Sequence, residues 1–156
     1  MKICIIVANY YKNISKNLFL GAKSELDKYI KKNTKNKLIY EKVIVPGVFE
    51  IPFVISSKIK KFDAFIALAC VIKGETPHFD FISNAATNGI MNISIQYKKP
   101  ISNGILTCLN KKQAIVRSDI NKKNKGGEAA KALIHLLEIT RRKWMKKVII
   151  KILGLS

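Results

Sequence analysis

Acidic side chains are scarce in this sequence. Asp and Glu together number 10 against 29 Lys and Arg, giving a formal net charge of +19. Arginine is scarce as well: only Arg117, Arg141 and Arg142 occur, so 26 of the 29 basic residues are lysine. Such a surplus admits two readings. A strong positive field recruits phosphates, as in a nucleic-acid binder or a membrane-surface protein. The other reading is compositional drift, in a chain saturated with Lys, Ile and Asn. The placement favours drift, because the lysines are scattered over residues 31–37, 58–61, 98–99, 111–112 and 122–125 without one basic block. They also lack interleaved aromatics on which bases stack. Cysteine is limited to Cys4, Cys70 and Cys108, far apart and inside apolar runs. That spacing reads as buried reduced thiols of a cytoplasmic protein, with neither the pattern of a disulfide framework nor that of a metal-binding motif. No apolar run approaches the ~18 residues of a membrane span. The run at residues 3–8 is too short for a signal-peptide core and reads as a first strand.

What is present is enough apolar material for a core. The hydrophobic fraction is 48% and the mean hydropathy +0.07, and 156 residues suit one domain spanning residues 1–156. Four short apolar runs, Lys2–Ala8, Leu38–Val45, Ala64–Ile72 and Pro100–Thr107, read as parallel strands buried on both faces. Helical spacing appears between them. Leu18, Ala22, Leu26 and Tyr29 mark a helix over Ile14–Lys32, and Phe79, Ile82, Ala86, Ile90 and Ile93 mark one over Phe79–Tyr97. A shorter helix is expected over Leu109–Ser118 and a long one over Glu128–Lys147. Alternation of strands and helices implies right-handed crossovers and a doubly wound sheet. The expected fold is therefore an α/β flavodoxin-like three-layer sandwich around a four-stranded parallel sheet of order 2-1-3-4. Its ligand site is expected at the carboxyl edge.

Three corners fall at that edge. After the first strand, Asn9-Tyr10-Tyr11 offers a ring to stack on a planar heterocycle. After the second, Pro46-Gly47-Val48-Phe49-Glu50 lets the backbone approach closely and opens a helix. Glu50 there either favours the helix N-terminus through its dipole or accepts hydrogen bonds from a ligand. The third corner is the most informative stretch of the chain: Lys73-Gly74-Glu75-Thr76-Pro77-His78, directly after a buried strand. Gly74 permits a sharp turn, Thr76 is expected as an N-cap, and Pro77 as the first helical residue. The exposed N–H groups make an anion site, with Lys73 or another cation offsetting Glu75. His78, an imidazole in the first helical turn, is the residue type suited to proton shuttling, whereas His135 lies inside a helix and reads as structural. Arg117 is an arginine in a lysine chain, the residue for a planar bidentate grip on phosphate. Lys125-Gly126-Gly127-Glu128 reads either as a flexible basic turn before the last helix or, more simply, as the plain start of that helix.

Taken together, these segments resemble the 6,7-dimethyl-8-ribityllumazine synthase family. Residues 45–52, VPGVFEIP, resemble its VPGAFEIP, and residues 70–80, CVIKGETPHFD, resemble its CVIRGETPHFD. Residues 113–117, QAIVR, and 124–130, NKGGEAA, resemble QAIER and NKGxEAA. Four ordered motifs at matching spacing, within a likeness running from Ile5 to about Leu137, make the resemblance specific. It implies condensation of 5-amino-6-(D-ribitylamino)uracil with 3,4-dihydroxy-2-butanone 4-phosphate, the penultimate step of riboflavin biosynthesis, without metal or other cofactor. It further implies that Tyr10 stacks on the pyrimidinedione, and that Val48, Phe49 and Glu50 border the ring and the ribityl chain. Cys70, Val71 and Ile72 are implied as backbone contacts to the uracil, Glu75, Thr76 and Arg117 as the phosphate pocket, His78 as the acid/base, and Lys125 as a basic neighbour of the ribityl and phosphate groups.

Two departures stand out. The family usually has Arg-Phe-Asn where this chain has Asn9-Tyr10-Tyr11, and commonly an aromatic at Asn103, facing the pyrimidinedione from a neighbouring subunit. The resemblance also implies homopentamers with active sites shared between subunits, so that Asn103, Arg117 and Lys125 complete a neighbour's site. Many relatives build sixty-subunit shells, and the short connection between Arg117 and Glu128 favours a shell here. A riboflavin synthase partner is implied, with no specific nucleic acid. Residues 141–156, with Trp144, form a basic amphipathic segment beyond what the resemblance covers. The rival readings are a basic nucleic-acid-binding module, an archaeal-type riboflavin synthase and an inactive flavin-binding derivative on the same fold.

Overall fold

The computed structural model describes residues 1–34 and 37–152, with side chains up to residue 140. Four parallel strands, β1 (Lys2–Ala8), β2 (Ile39–Val45), β3 (Ala64–Ile72) and β4 (Ile101–Cys108), form one sheet of order β2-β1-β3-β4. The order and the strands follow the sequence expectation, with bounds displaced by at most a residue. Five helices connect and cover them: α1 (Lys12–Lys32), α2 (Glu50–Ser57), α3 (His78–Tyr97), α4 (Lys111–Ser118) and α5 (Lys125–Ile152). The expected basic amphipathic character of residues 141–156 rests on side chains outside the described ones.

Side-chain alternation divides the core into two layers. Ile3, Ile5 and Val7 of β1 and Ile66 and Leu68 of β3 face α1 and α5, through Leu18, Ala22, Leu26 and Leu133. Cys4, Ile6, Phe65, Ala67 and Ala69 point the other way, onto Ile51 and Ile55 of α2 and Ala86 and Ile90 of α3. β3 is the strand most completely enclosed, with Ala64 to Ala69 wholly buried. β2 departs from the expectation of burial on both faces, for Ile39 and Ile44 are half or more exposed. It is paired on one side only, and the eight-residue α2 packs over β1 and against α3 instead.

Of the two readings of Lys125–Glu128, a flexible basic turn or a plain helix start, the second holds: these residues form the first turn of α5, and they are tightly packed. A Cβ on Gly126 would stand 2.0 Å from the carbonyl oxygen of Leu18 in α1, and one on Gly21 would collide with the Asn124 side chain. Glycine here serves close approach of two helices, not flexibility. Asn124, at φ 41°, caps the turn by accepting a 3.1 Å hydrogen bond from the Gly127 N–H. Gly126→Ala should therefore push α5 off α1 and destabilise the fold by about 1–3 kcal/mol. Gly74→Ala, where a Cβ meets nothing within 4 Å, should fall within about 0.5 kcal/mol of wild type. Urea denaturation of the two variants checks the contrast, and equal losses would refute it.

Candidate active site

The three corners converge where the sheet order reverses, between β1 and β3, outside the carboxyl ends of the strands. This is the crevice in which open α/β sheets bind ligands. A cleft of about 210 Å³ opens there, lined by Tyr10, Tyr11, Gly47, Val48, Cys70, Val71, Ile72, Gly74, Thr76, His78 and Phe79.

Each corner is fixed by hydrogen bonds to the sheet. The Asn9 N–H donates to the Val45 carbonyl at 2.9 Å, tying the end of β1 to that of β2. The buried Ser15 hydroxyl of α1 donates to the Ala8 carbonyl at 2.6 Å. Tyr10 is thereby held outward, 74% exposed, with Tyr11 meeting it edge to face at 4.9 Å between centroids. One broad face of Tyr10 is left for a planar guest. At the second corner the Gly47 N–H donates to Glu50 Oε2 at 2.9 Å. Glu50 thus braces its own loop, an arrangement neither reading of its sequence position anticipated. Its other oxygen has no hydrogen-bond partner among the described residues.

The third corner is anchored by the Lys73 N–H, which donates to the Cys108 carbonyl at 2.8 Å and extends the β3–β4 ladder by one bond. Beyond it, residues 73–78 are all exposed. Thr76 is not the N-cap. The helix begins at His78, Pro77 occupies the cap position, and no side chain caps it. The physical reason is that Pro77, at φ −68° and ψ 1°, offers its own carbonyl to Asp80 at 3.0 Å and Phe81 at 3.3 Å. That leaves the N–H groups of His78 and Phe79, two residues that line the cleft, without a hydrogen-bond acceptor among the described residues. Lys73 forms no ion pair with Glu75, and no cation among the described residues pairs with that carboxylate. Gly74 has room for a side chain, so the sharp turn does not require glycine.

The thiols at the cleft wall are not nucleophiles at neutral pH. Burial pushes Cys70 up to about 12, with Cys108 adding to the shift. Burial also raises Cys108, against the opposing charge of Arg117. Tyr11 is raised by burial, with Tyr10 and Cys70 adding to it. Among the described residues no three His, Cys, Asp or Glu side chains gather into one cluster.

Comparison with known proteins agrees with this picture. The sequence profile of 6,7-dimethyl-8-ribityllumazine synthase matches residues 1–141. A protein of that name from Buchnera aphidicola subsp. Acyrthosiphon pisum (strain Tuc7) is 41% identical over 149 residues, covering 94% of this chain and 90% of its own. One from Bartonella henselae is 38% identical over 146 residues, covering 91% and 90%. One from Paramagnetospirillum magneticum is 32% identical over 149 residues, covering 90% and 95%. The chain belongs to the 6,7-dimethyl-8-ribityllumazine synthase family.

Set beside the lumazine synthase motifs, the site residues fall into three groups. Tyr10, Val48, Cys70, Val71, Ile72, Thr76 and His78 meet in one cleft. Phe49, Glu50 and Glu75 stand in the same corners without lining it, and Phe49 is 61% exposed. Asn103, Arg117 and Lys125 are elsewhere. Asn103 pairs with Ala67, three residues short of the Leu106 that pairs with Cys70, and its Oδ1 accepts the Ile105 N–H at 2.9 Å. Arg117 is half-buried near the end of α4. Lys125 is held by Glu128 at 2.5 Å on its own helix. Sequence reasoning gave no role to Tyr11 or Phe79, which also line the cleft. Each directly follows an assigned residue in a corner, which was the available signal. Glu50→Ala should strand the Gly47 N–H and cost about 1 kcal/mol of stability. Glu50→Gln, whose amide oxygen still accepts, should recover most of it in the same denaturation assay.

Proposed function

We propose that this chain catalyses condensation of 5-amino-6-(D-ribitylamino)uracil with 3,4-dihydroxy-2-butanone 4-phosphate to give 6,7-dimethyl-8-ribityllumazine, phosphate and water. The observation that carries the reading is the cleft itself, where the exposed Tyr10 ring, the ends of β3 and His78 share one opening of about 210 Å³. The pyrimidinedione stacks on Tyr10 and hydrogen-bonds the backbone of Cys70, Val71 and Ile72. Val48, Phe49 and Glu50 border the ring and the ribityl chain. Glu75 and Thr76 form one wall of the phosphate pocket.

The 5-amino group attacks the ketone, water leaves to form the imine, phosphate is eliminated, and attack by the ribitylamino nitrogen closes the ring with loss of a second water. Condensation of these substrates proceeds without a catalyst, so positioning supplies much of the acceleration. His78 moves protons at imine formation and elimination. Arg117 stabilises the departing phosphate, supplied by a neighbouring chain together with Asn103 and Lys125. That division offsets the unpaired Glu75 carboxylate with a cation this chain does not itself place there.

A homopentamer supports this arrangement, and the short link from Arg117 to Glu128 favours a sixty-subunit shell. Phe53 and Phe81 are 75% and 71% exposed, on α2 and α3, and large apolar side chains of that kind call for cover. The reading also places the protein in the cytoplasm with a riboflavin synthase as its downstream partner. No helix among the described residues is long and apolar enough to cross a membrane.

Mixing the purified protein with both substrates should raise the rate of lumazine chromophore formation above the uncatalysed rate, and no acceleration would refute the reading. His78→Ala should lower kcat about 100-fold or more with little change in KM. Arg117→Ala should raise KM for the butanone phosphate about 10- to 100-fold. Asn103 offers little stacking area, so Asn103→Phe should lower KM for the ribitylaminouracil about 2- to 10-fold. An unchanged KM in Asn103→Phe would remove that residue from the substrate site.

A further inference from the structure

Two of the three cysteines stand side by side at the back of the cleft. Cys70 of β3 pairs with Leu106 of β4, so Cys108 lies two residues beyond its partner and on the same face of the sheet. Both side chains belong to the layer packed by α1, α4 and α5, and each thiol influences the proton affinity of the other. Cys108 is fully buried, while Cys70 lines the cleft and so provides a path from solvent. We propose that Cys70 and Cys108 together form a two-thiolate binding site for a soft, monovalent cation of the copper(I) class, entered through the cleft.

Geometry selects this ligand over the alternatives. Diagonal neighbours on parallel strands are about 8 Å apart at Cα, from a strand spacing of about 4.8 Å and a two-residue advance of about 6.6 Å. A disulfide bridges at most about 7 Å without moving the backbone. Zinc takes four ligands, and no third His, Cys, Asp or Glu joins the pair among the described residues. A filled-shell copper(I) ion is satisfied by two soft sulfurs in line. Binding breaks two S–H bonds, forms two S–Cu bonds and releases two protons to solvent, with no change of oxidation state. The product carries one negative charge, and the positive charge of Arg117, already acting on Cys108, offsets it. Without the ion the buried thiols stay protonated, which keeps the pair inert.

The test is an anaerobic titration of the full-length protein with copper(I) against a chromophoric copper(I) chelator, without substrates. It is therefore independent of the proposed activity. One ion per chain should bind, with affinity rising about 100-fold per pH unit around neutrality, the signature of two released protons. Cys4 lies on the opposite face of the sheet, so Cys4→Ser should bind as wild type does. Cys70→Ser, Cys108→Ser and Cys108→Ala, checked for folding by circular dichroism, should each weaken binding at least about 100-fold. For these variants the dependence should fall to about 10-fold per pH unit. A wild-type dependence of one proton, or wild-type affinity in a folded Cys108 variant, would overturn the proposal. The wild-type proton count needs no variant to fold.

Discussion

The structure depends on the enclosure of β3. Six consecutive residues, Ala64 to Ala69, have no exposed surface, because β1 and β4 flank the strand and helices cover both faces. A strand so enclosed cannot slip: a one-residue shift would exchange Ile66 and Leu68, which face α1 and α5, with Phe65 and Ala67, which face α2 and α3. Fixed register delivers Cys70, Val71 and Ile72 to the carboxyl edge, and the Lys73–Cys108 hydrogen bond carries that precision one residue further. Only there does the chain leave the core and expose the stretch from Lys73 to His78. The rigid scaffold and the accessible reactive corner are consequences of the same burial.

The close contact of α1 and α5 plays the corresponding part on one face. Gly126 lets the first turn of α5 rest on the backbone of Leu18, and Leu133 and Leu137 then complete the layer over β1 and β3. On the other face the corresponding approach is Gly89 of α3 against Pro52 of α2, where an added Cβ would be 3.1 Å from the proline ring. The two faces differ in what they leave outside. The α2–α3 side exposes Phe53 and Phe81, which supports the proposal that another chain covers it and brings Arg117 to the cleft.

Much of this was legible in the sequence, for particular reasons. Continuous apolar runs in Lys2–Ala8 and Ala64–Ile72 could only be strands covered on both faces, and the alternation of elements then left few topologies. The ends of those runs identified the three corners and, with them, Tyr10, Val48 and His78. What could not be read was decided by contacts between distant segments or by backbone details. Gly126 can be read as part of a helix start, but why it must be glycine is invisible until α1 is placed beneath it. Thr76 looks like a cap until the Pro77 carbonyl takes the first helical bonds. The exposure of β2 follows from the sheet order and the shortness of α2, which its own composition does not encode. Glu50, Asn103 and Lys125 are all bound to neighbours three residues away or fewer, an intrachain satisfaction that residue type alone does not reveal.

The central claim is that the cleft is half of a site and a second chain supplies the rest. Co-expressing full-length His78→Ala and Arg117→Ala chains in equal amounts tests it directly. Random assembly should leave about one interface in four with both wild-type residues, so the mixed oligomer should regain about a quarter of wild-type lumazine formation. If the mixture is no more active than the sum of the two variants assembled separately, His78 and Arg117 act within one chain, and the shared site is refuted.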